Sequence, residues 1–231
     1  MIIMDTFTAA NMESDKNGKL LFTSDMFANY YEKYKHENKL VIKTFGDFTV
    51  VKYNKALLDI EQNPMLGFFR SIILKKDTIV SFSPQKCLNF NIFIENNEFS
   101  DCKVSSMIEG TMINLFYDHD HMFETHEDLK HWVICTRSNV GASCRFNLDH
   151  KDTFRDMFIE AAHDVMLYDA DLDKDLCYSF VLQHPKNKTI VPCEKPKITL
   201  THAYKIKDNN IVDVTDSIDK TKFSRISTLK N

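Results

Sequence analysis

The sequence predicts an α+β fold built mainly on antiparallel sheet. Strand-like segments fill much of the first half, one amphipathic helix stands past the middle, and strand-like segments return after it. The spacing of turn residues supports hairpins in place of long crossover connections. Residues 1–215 are read as one domain and 216–231 as a loose polar tail.

The elements follow in order. Leu21, Met26, Tyr30 and Tyr34 recur at helical spacing within Leu20 to Tyr34, with Ser24 and Asp25 as candidate caps. Val41 to Tyr53 mixes β-branched and aromatic residues about a Gly46-Asp47 turn signal, which predicts a hairpin. Phe68 to Leu74 and Thr78 to Phe82 flank the polar turn Lys75-Lys76-Asp77 and predict a second, closed by Pro84. Met112 to Tyr117 and His131 to Thr136 predict a third, with a long solvated tip from Asp118 to Lys130. Asp152 to Leu167 places Phe154, Met157, Phe158, Ala161, Ala162 and Val165 on one face, the firmest helical pattern in the chain. Short strands are expected at Cys177 to Leu182, Thr189 to Val191, Lys197 to Lys205 and Ile211 to Val214.

Composition narrows the function. With 231 residues and 43% hydrophobic content the chain can bury a full core without staples. A formal net charge of -4 gives no global positive field, so contact with nucleic acid requires a local basic patch. Six cysteines without a C-x-x-C pair predict a reducing, intracellular setting. The apolar start Met1 to Met4 is too short for a signal segment, and no apolar run approaches the ~18 residues of a membrane span. A soluble, cytoplasmic protein with no membrane partner is expected.

His119, His121, His126 and His131 stand among Asp118, Asp120, Glu124, Glu127 and Asp128, a mixture of imidazole and carboxylate that transition metals favour. Their spacing matches no compact zinc pattern, so they are read as a charged hairpin tip and no metal is assigned. Trp132 and the 18 Phe residues alternate with polar positions as core residues do, although aromatics also serve as stacking platforms for bases.

Four segments, taken in order, carry a resemblance. The first is Phe69-Arg70-Ser71-Ile72-Ile73-Leu74 with Val80-Ser81-Phe82-Ser83-Pro84-Gln85-Lys86-Cys87-Leu88-Asn89-Phe90. The second is Ser105-Ser106-Met107-Ile108-Glu109-Gly110-Thr111-Met112-Ile113, the third Trp132 to Ser138, and the fourth Tyr178 to Pro185 with Ile190-Val191. Together they resemble the adenylation domain of phage-type RNA ligases, which belong with DNA ligases and capping enzymes to the covalent nucleotidyltransferases. The resemblance spans roughly residues 68 to 215, and it implies the nucleotidyltransferase fold, mainly antiparallel sheets with flanking helices. The run Glu109 to Asp118 with Thr136-Arg137-Ser138 is also similar to proteins of large DNA viruses, a context that suits the Phe, Asn and Lys bias.

On this resemblance Arg70, Lys86, Glu109, Gly110, Arg137 and Ser179 are nucleotide- or phosphate-binding positions, and Met107 stands at the nucleophile. The family attacks the α-phosphate of ATP with a lysine amine, and a thioether has no nitrogen to give. Lys103 lies four residues upstream, about 13 Å along an extended strand, and does not replace it. Ser179 stands where the family has a glutamate, so the charge that would serve magnesium is lost. No downstream strand is assigned as the family's paired-lysine strand. The expectation is a noncatalytic domain that binds nucleotide or RNA, or serves as a scaffold among viral proteins in a virion or viral factory. An active RNA ligase using ATP and Mg2+ is the alternative. The resemblance further implies a groove between the hairpins Phe68 to Phe82 and Met112 to Thr136, with Met107 and Glu109 on one strand, facing the same side.

Overall fold

Residues 2–4, 14–15, 18–102, 104–122, 127–146, 151–187, 189–223 and 226–228 are described by the structure, a computed structural model. Lys103, Glu124 and His126 lie outside them.

The chain opens with three short strands, β1 (Ile2–Met4), β2 (Ser14–Asp15) and β3 (Gly18–Phe22). Helix α1 (Ser24–His36) follows, and its N-cap is Thr23, whose hydroxyl accepts from Met26 N at 3.1 Å. The helical spacing read from Leu20 therefore begins three or four residues late in space, because Leu20 and Leu21 belong to β3.

β4 (Leu40–Phe45) and β5 (Phe48–Tyr53) form the hairpin expected around Gly46, whose φ of 56° is one a side chain resists. A 3-10 segment, Pro64–Arg70, precedes β6 (Ile72–Lys75) and β7 (Thr78–Phe82). The sequence pattern predicts a strand from Phe68. It is instead a buried turn, with Pro64 setting its start and Leu66, Phe68 and Phe69 driven into the core.

Helix α2 (Phe90–Asn96) was not anticipated. It leads through β8 (Val104–Ser106) to β9 (Thr111–Tyr117), β10 (Trp132–Thr136) and β11 (Asn139–Val140). Helix α3 (Phe154–Asp164) opens with a capping box between Thr153 and Asp156. β12 (Leu176–Gln183), β13 (Lys197–Lys207) and β14 (Asn210–Asp213) follow. The last strand is β15 (Ser227–Thr228).

Among the described residues, β11-β10-β9-β12-β13-β14-β3-β2 form one large sheet, joined by β15, and β4-β5-β6-β7 form a smaller one; β1 pairs with β8 apart from both. Every pairing is antiparallel except that of β13 with β15. The fold is α+β with antiparallel sheets and few helices.

Side-chain alternation assigns the layers. Ile113, Leu115, Trp132, Ile134, Tyr178, Phe180 and Leu182 turn to one face of the large sheet, where α3 lays Met157, Phe158, Ala161 and Ala162 on them. The other face receives the small sheet through Phe48, Val50 and Ile73 against Phe116, Val133, Cys135 and Cys177. The small sheet's far side, with Val51, Tyr53, Ile72 and Phe82, packs on α1 and the 64–70 turn, and Tyr204 and Ile211 of the large sheet join that cluster.

The reading of residues 216–231 as a loose tail is corrected within the described part. Phe223 and Ile226 are buried in the α3 cluster, and β15 is paired. Scattered apolar residues in a polar stretch leave no periodicity to detect, yet Phe223 and Ile226 each remove enough surface from water to anchor the chain. Among the described residues no helix is long and apolar enough to cross a membrane.

Candidate functional site

The face between the sheets changes character along its length. At one end it is the apolar contact just described. Toward the other, the same alternation carries on through Asn114 in β9 and Ser179 in β12, cross-strand partners, while Ser71, Ser81 and Ser83 continue the inward set from the small sheet. All five are fully buried.

Ser179 Oγ donates to Asn114 Oδ1 at 2.8 Å, and Ser83 Oγ donates to the Ser71 carbonyl at 2.9 Å. Asn114 Nδ2 and Ser71 Oγ have no hydrogen-bond partner among the described residues. A buried group left so costs about 1–3 kcal/mol, which stability alone does not explain.

Cations gather at the same end. Arg137 lies in the turn after β10, where its Nε donates to the Arg70 carbonyl at 3.2 Å and Nη2 to the Tyr53 carbonyl at 3.4 Å. Its guanidinium carbon stands 4.3 Å from the centre of the Tyr53 ring. Lys52 Nζ donates to Ser138 Oγ in that turn. Burial pushes the Lys52 ammonium below its usual range, and the charges of Arg137, Lys43 and Lys55 push it further. Burial also lowers Arg137, and Arg70 adds to the effect while Tyr53 opposes it. None of Lys52, Arg70 and Arg137 forms an ion pair with a carboxylate among the described residues. A set of like charges held partly out of water is relieved by an anion.

The positions singled out from sequence meet different fates. Arg70 and Arg137 come together. Lys86 anchors through its backbone N–H to Gly67 O at 3.0 Å, and among the described residues its ammonium reaches only the Cys87 carbonyl at 3.5 Å. Met107 is 37% exposed and lies between β8 and β9. It and Glu109 therefore do not share a strand, and that expectation is corrected.

Both carboxylate oxygens of Glu109 are already engaged, accepting from Ile190 N at 2.8 Å and Val191 N at 2.9 Å. Thr189 to Val191 is accordingly no strand. Its backbone donors lack a ladder, and the carboxylate supplies their acceptors. Gly110 does mark a close backbone approach, but to β12: a Cβ there would meet Leu182 O at 2.5 Å and Val181 Cγ1 at 2.6 Å. Ser179 is committed to Asn114 and has no exposed surface.

The histidine tip shows His131 Nδ1 against His121 O at 2.7 Å, with the His119 and His131 rings stacked at 5.7 Å. Among the described residues no group of three or more metal-binding side chains assembles. Trp132 is buried and its indole donates to Asp169 at 2.8 Å, a core residue with a satisfied polar end.

Sequence reasoning missed Lys52, Tyr53, Ser71 and Asn114. Asn114 carried a usable signal, as a lone amide inside the apolar run Met112 to Phe116. No family model matches the chain, and no curated protein matches it in sequence.

Proposed function

We propose that this chain is a noncatalytic, RNA-ligase-like nucleotidyltransferase domain that holds a nucleotide or an RNA phosphate at the polar end of its inter-sheet face. The observation that carries the reading is the group Lys52, Arg70 and Arg137, which lacks a carboxylate partner among the described residues and borders buried polar groups that also lack partners. A phosphate oxygen accepts hydrogen bonds from a guanidinium in a planar, paired geometry, and Arg137 is pre-oriented by Tyr53 and by two carbonyls.

Absence of catalysis follows from what the expected catalytic positions contain. Met107 has no amine for a phosphoramidate. The groups present suit a phosphate better than a magnesium ion, because Glu109 is spent on two amides and Ser179 carries no charge. ATP binding in this reading depends on its phosphates and base and not on a metal held by these two residues.

The test has two parts. Incubation with α-labelled ATP and magnesium, followed by denaturation, leaves no label on the chain; acid-labile label would establish an active ligase instead. Equilibrium titration with ATP and with single-stranded RNA then shows binding of at least one. Binding of neither would favour the scaffold reading, in which this face meets a protein of a viral assembly.

A further inference from the structure

A cavity of about 570 Å³ opens on the α3 side of the large sheet, away from the inter-sheet face. That is within the range of small-molecule sites, roughly 300–1,000 Å³. Leu176, Tyr178, Val214, Ile218 and Phe223, which pack in the α3 cluster, form its apolar wall. Lys205 is the cross-strand partner of Leu176, so its side chain stands on this face and not with that of Ile206. Asp171 and Asp173 reach the cavity from the segment before β12, and Asp219 and Lys222 from the segment after β14. Three carboxylates and two ammonium groups thus line one apolar cavity, yet none of the five forms an ion pair among the described residues. Elsewhere the chain does close such pairs: Lys75 is fixed by Asp118 at 2.7 Å and Asp120 at 2.8 Å.

The carboxylates are only half engaged. Asp171 Oδ2 accepts from Tyr168 N at 3.0 Å, Asp173 Oδ1 from Asp175 N at 3.0 Å and Asp219 Oδ1 from Thr221 N at 3.0 Å. Each keeps one oxygen without a hydrogen bond among the described residues. Tyr178 is 1% exposed, and its hydroxyl accepts from Asp173 N at 2.8 Å. Burial pushes the hydroxyl up to about 12, so it keeps its proton, and that proton has no acceptor among the described residues. A buried donor in this state is stabilised by an acceptor brought from outside. A lone anion here would face three carboxylates, and a lone cation would face two ammonium groups. We infer that the cavity binds a zwitterion with an apolar body, a free amino acid with a large apolar side chain. Its carboxylate accepts from Tyr178 and from Lys205, which lies diagonal to Tyr178 across β12 and β13. Its ammonium donates to Asp171 and Asp173, and its side chain covers Leu176, Val214 and Phe223. This site goes beyond the nucleotide or RNA reading, and it stands whether or not a phosphate binds at the polar end.

L-phenylalanine and L-leucine are direct probes, with N-acetyl-L-phenylalanine lacking the ammonium and L-phenylalaninamide lacking the carboxylate. Calorimetric titration of the full chain gives one saturable site for the tighter of the two amino acids. Each phenylalanine derivative binds about tenfold more weakly than L-phenylalanine, as loss of a charge-assisted pair requires. Glycine, which has no apolar body, does not compete. Lys205→Gln weakens the amino acid about tenfold and leaves the amide unaffected. Asp171→Asn with Asp173→Asn also weakens the amino acid and leaves the acetylated probe unaffected. Asparagine keeps the acceptor oxygens that these loops use, and circular dichroism and Tm confirm that the variants fold as the parent does. Absence of binding by both amino acids overturns the proposal, and so does equal affinity for L-phenylalanine and its two derivatives. Unchanged affinity in the Lys205 and Asp171/Asp173 variants overturns it as well. So does loss of binding in Arg137→Ala, which would place the probe at the polar end.

Discussion

The two ends of the inter-sheet face are made by the same strands and serve different purposes. Phe48, Phe116, Val133 and Cys177 close one end, with the Phe48 and Phe116 rings edge to face at 5.7 Å. Burial there pushes the Cys177 thiol above its usual range, as a low-dielectric contact does. Two residues along the same strands, Asn114 and Ser179 replace aromatic and thiol with amide and hydroxyl, and the Asn114 amide nitrogen goes unused among the described residues. A chain selected for stability alone would continue the apolar pattern. The polar end is therefore where stability is given up, and it is also where cations collect.

Substitutions separate the two roles. The largest stability loss is expected at the apolar end: Phe116→Ala costs about 3–5 kcal/mol, read as a fall in the urea midpoint. Gly110→Ala should follow at about 1–3 kcal/mol, because its new Cβ meets the Leu182 carbonyl and the backbone must move. A loss as large as that of Phe116→Ala would mean that the loop carrying Glu109 is part of the same cooperative core.

At the polar end, Ser179→Ala removes the donor to Asn114 and costs about 1–3 kcal/mol. Ser179→Ala combined with Asn114→Leu should restore most of that loss, since replacing both partners by apolar groups removes the desolvation penalty. The double-mutant cycle checks it; additive losses would show that the pair contributes to stability in its own right.

The sequence made this division only partly legible. Helix α3 and the three hairpins were readable because period and turn chemistry are local. The 64–70 turn and the packing of Phe223 and Ile226 were not, since a buried apolar residue has the same letter in a turn, a strand or a tail. In the site, Arg70 and Arg137 were found through the resemblance alone. Glu109 was found too, but its engagement with Ile190 and Val191 depends on how a loop eighty residues away is folded back. Lys52 stayed hidden, because its meaning comes from Arg137 across the sheets.

A smaller effect is expected from pH. The folded-state pKa of Lys52 is lowered, so the unfolded chain binds that proton more readily and stability rises with pH through the window from the depressed value up to the ordinary lysine value near 10.5. Lys52→Met should remove that contribution while leaving the fold intact, as urea denaturation at stepped alkaline pH would show. An unchanged alkaline rise in the variant would mean that Lys52 is not strained by its neighbours.

The most direct measurement of the central claim is the salt dependence of binding to a 5′-phosphorylated single-stranded RNA, compared between the parent chain and Arg137→Ala. If the polar end holds a phosphate, the parent binds, its affinity falls linearly on logarithmic axes as salt rises, and Arg137→Ala binds about tenfold more weakly with a shallower slope. Identical affinities and slopes in the two proteins would contradict the claim and place any RNA contact elsewhere on the surface.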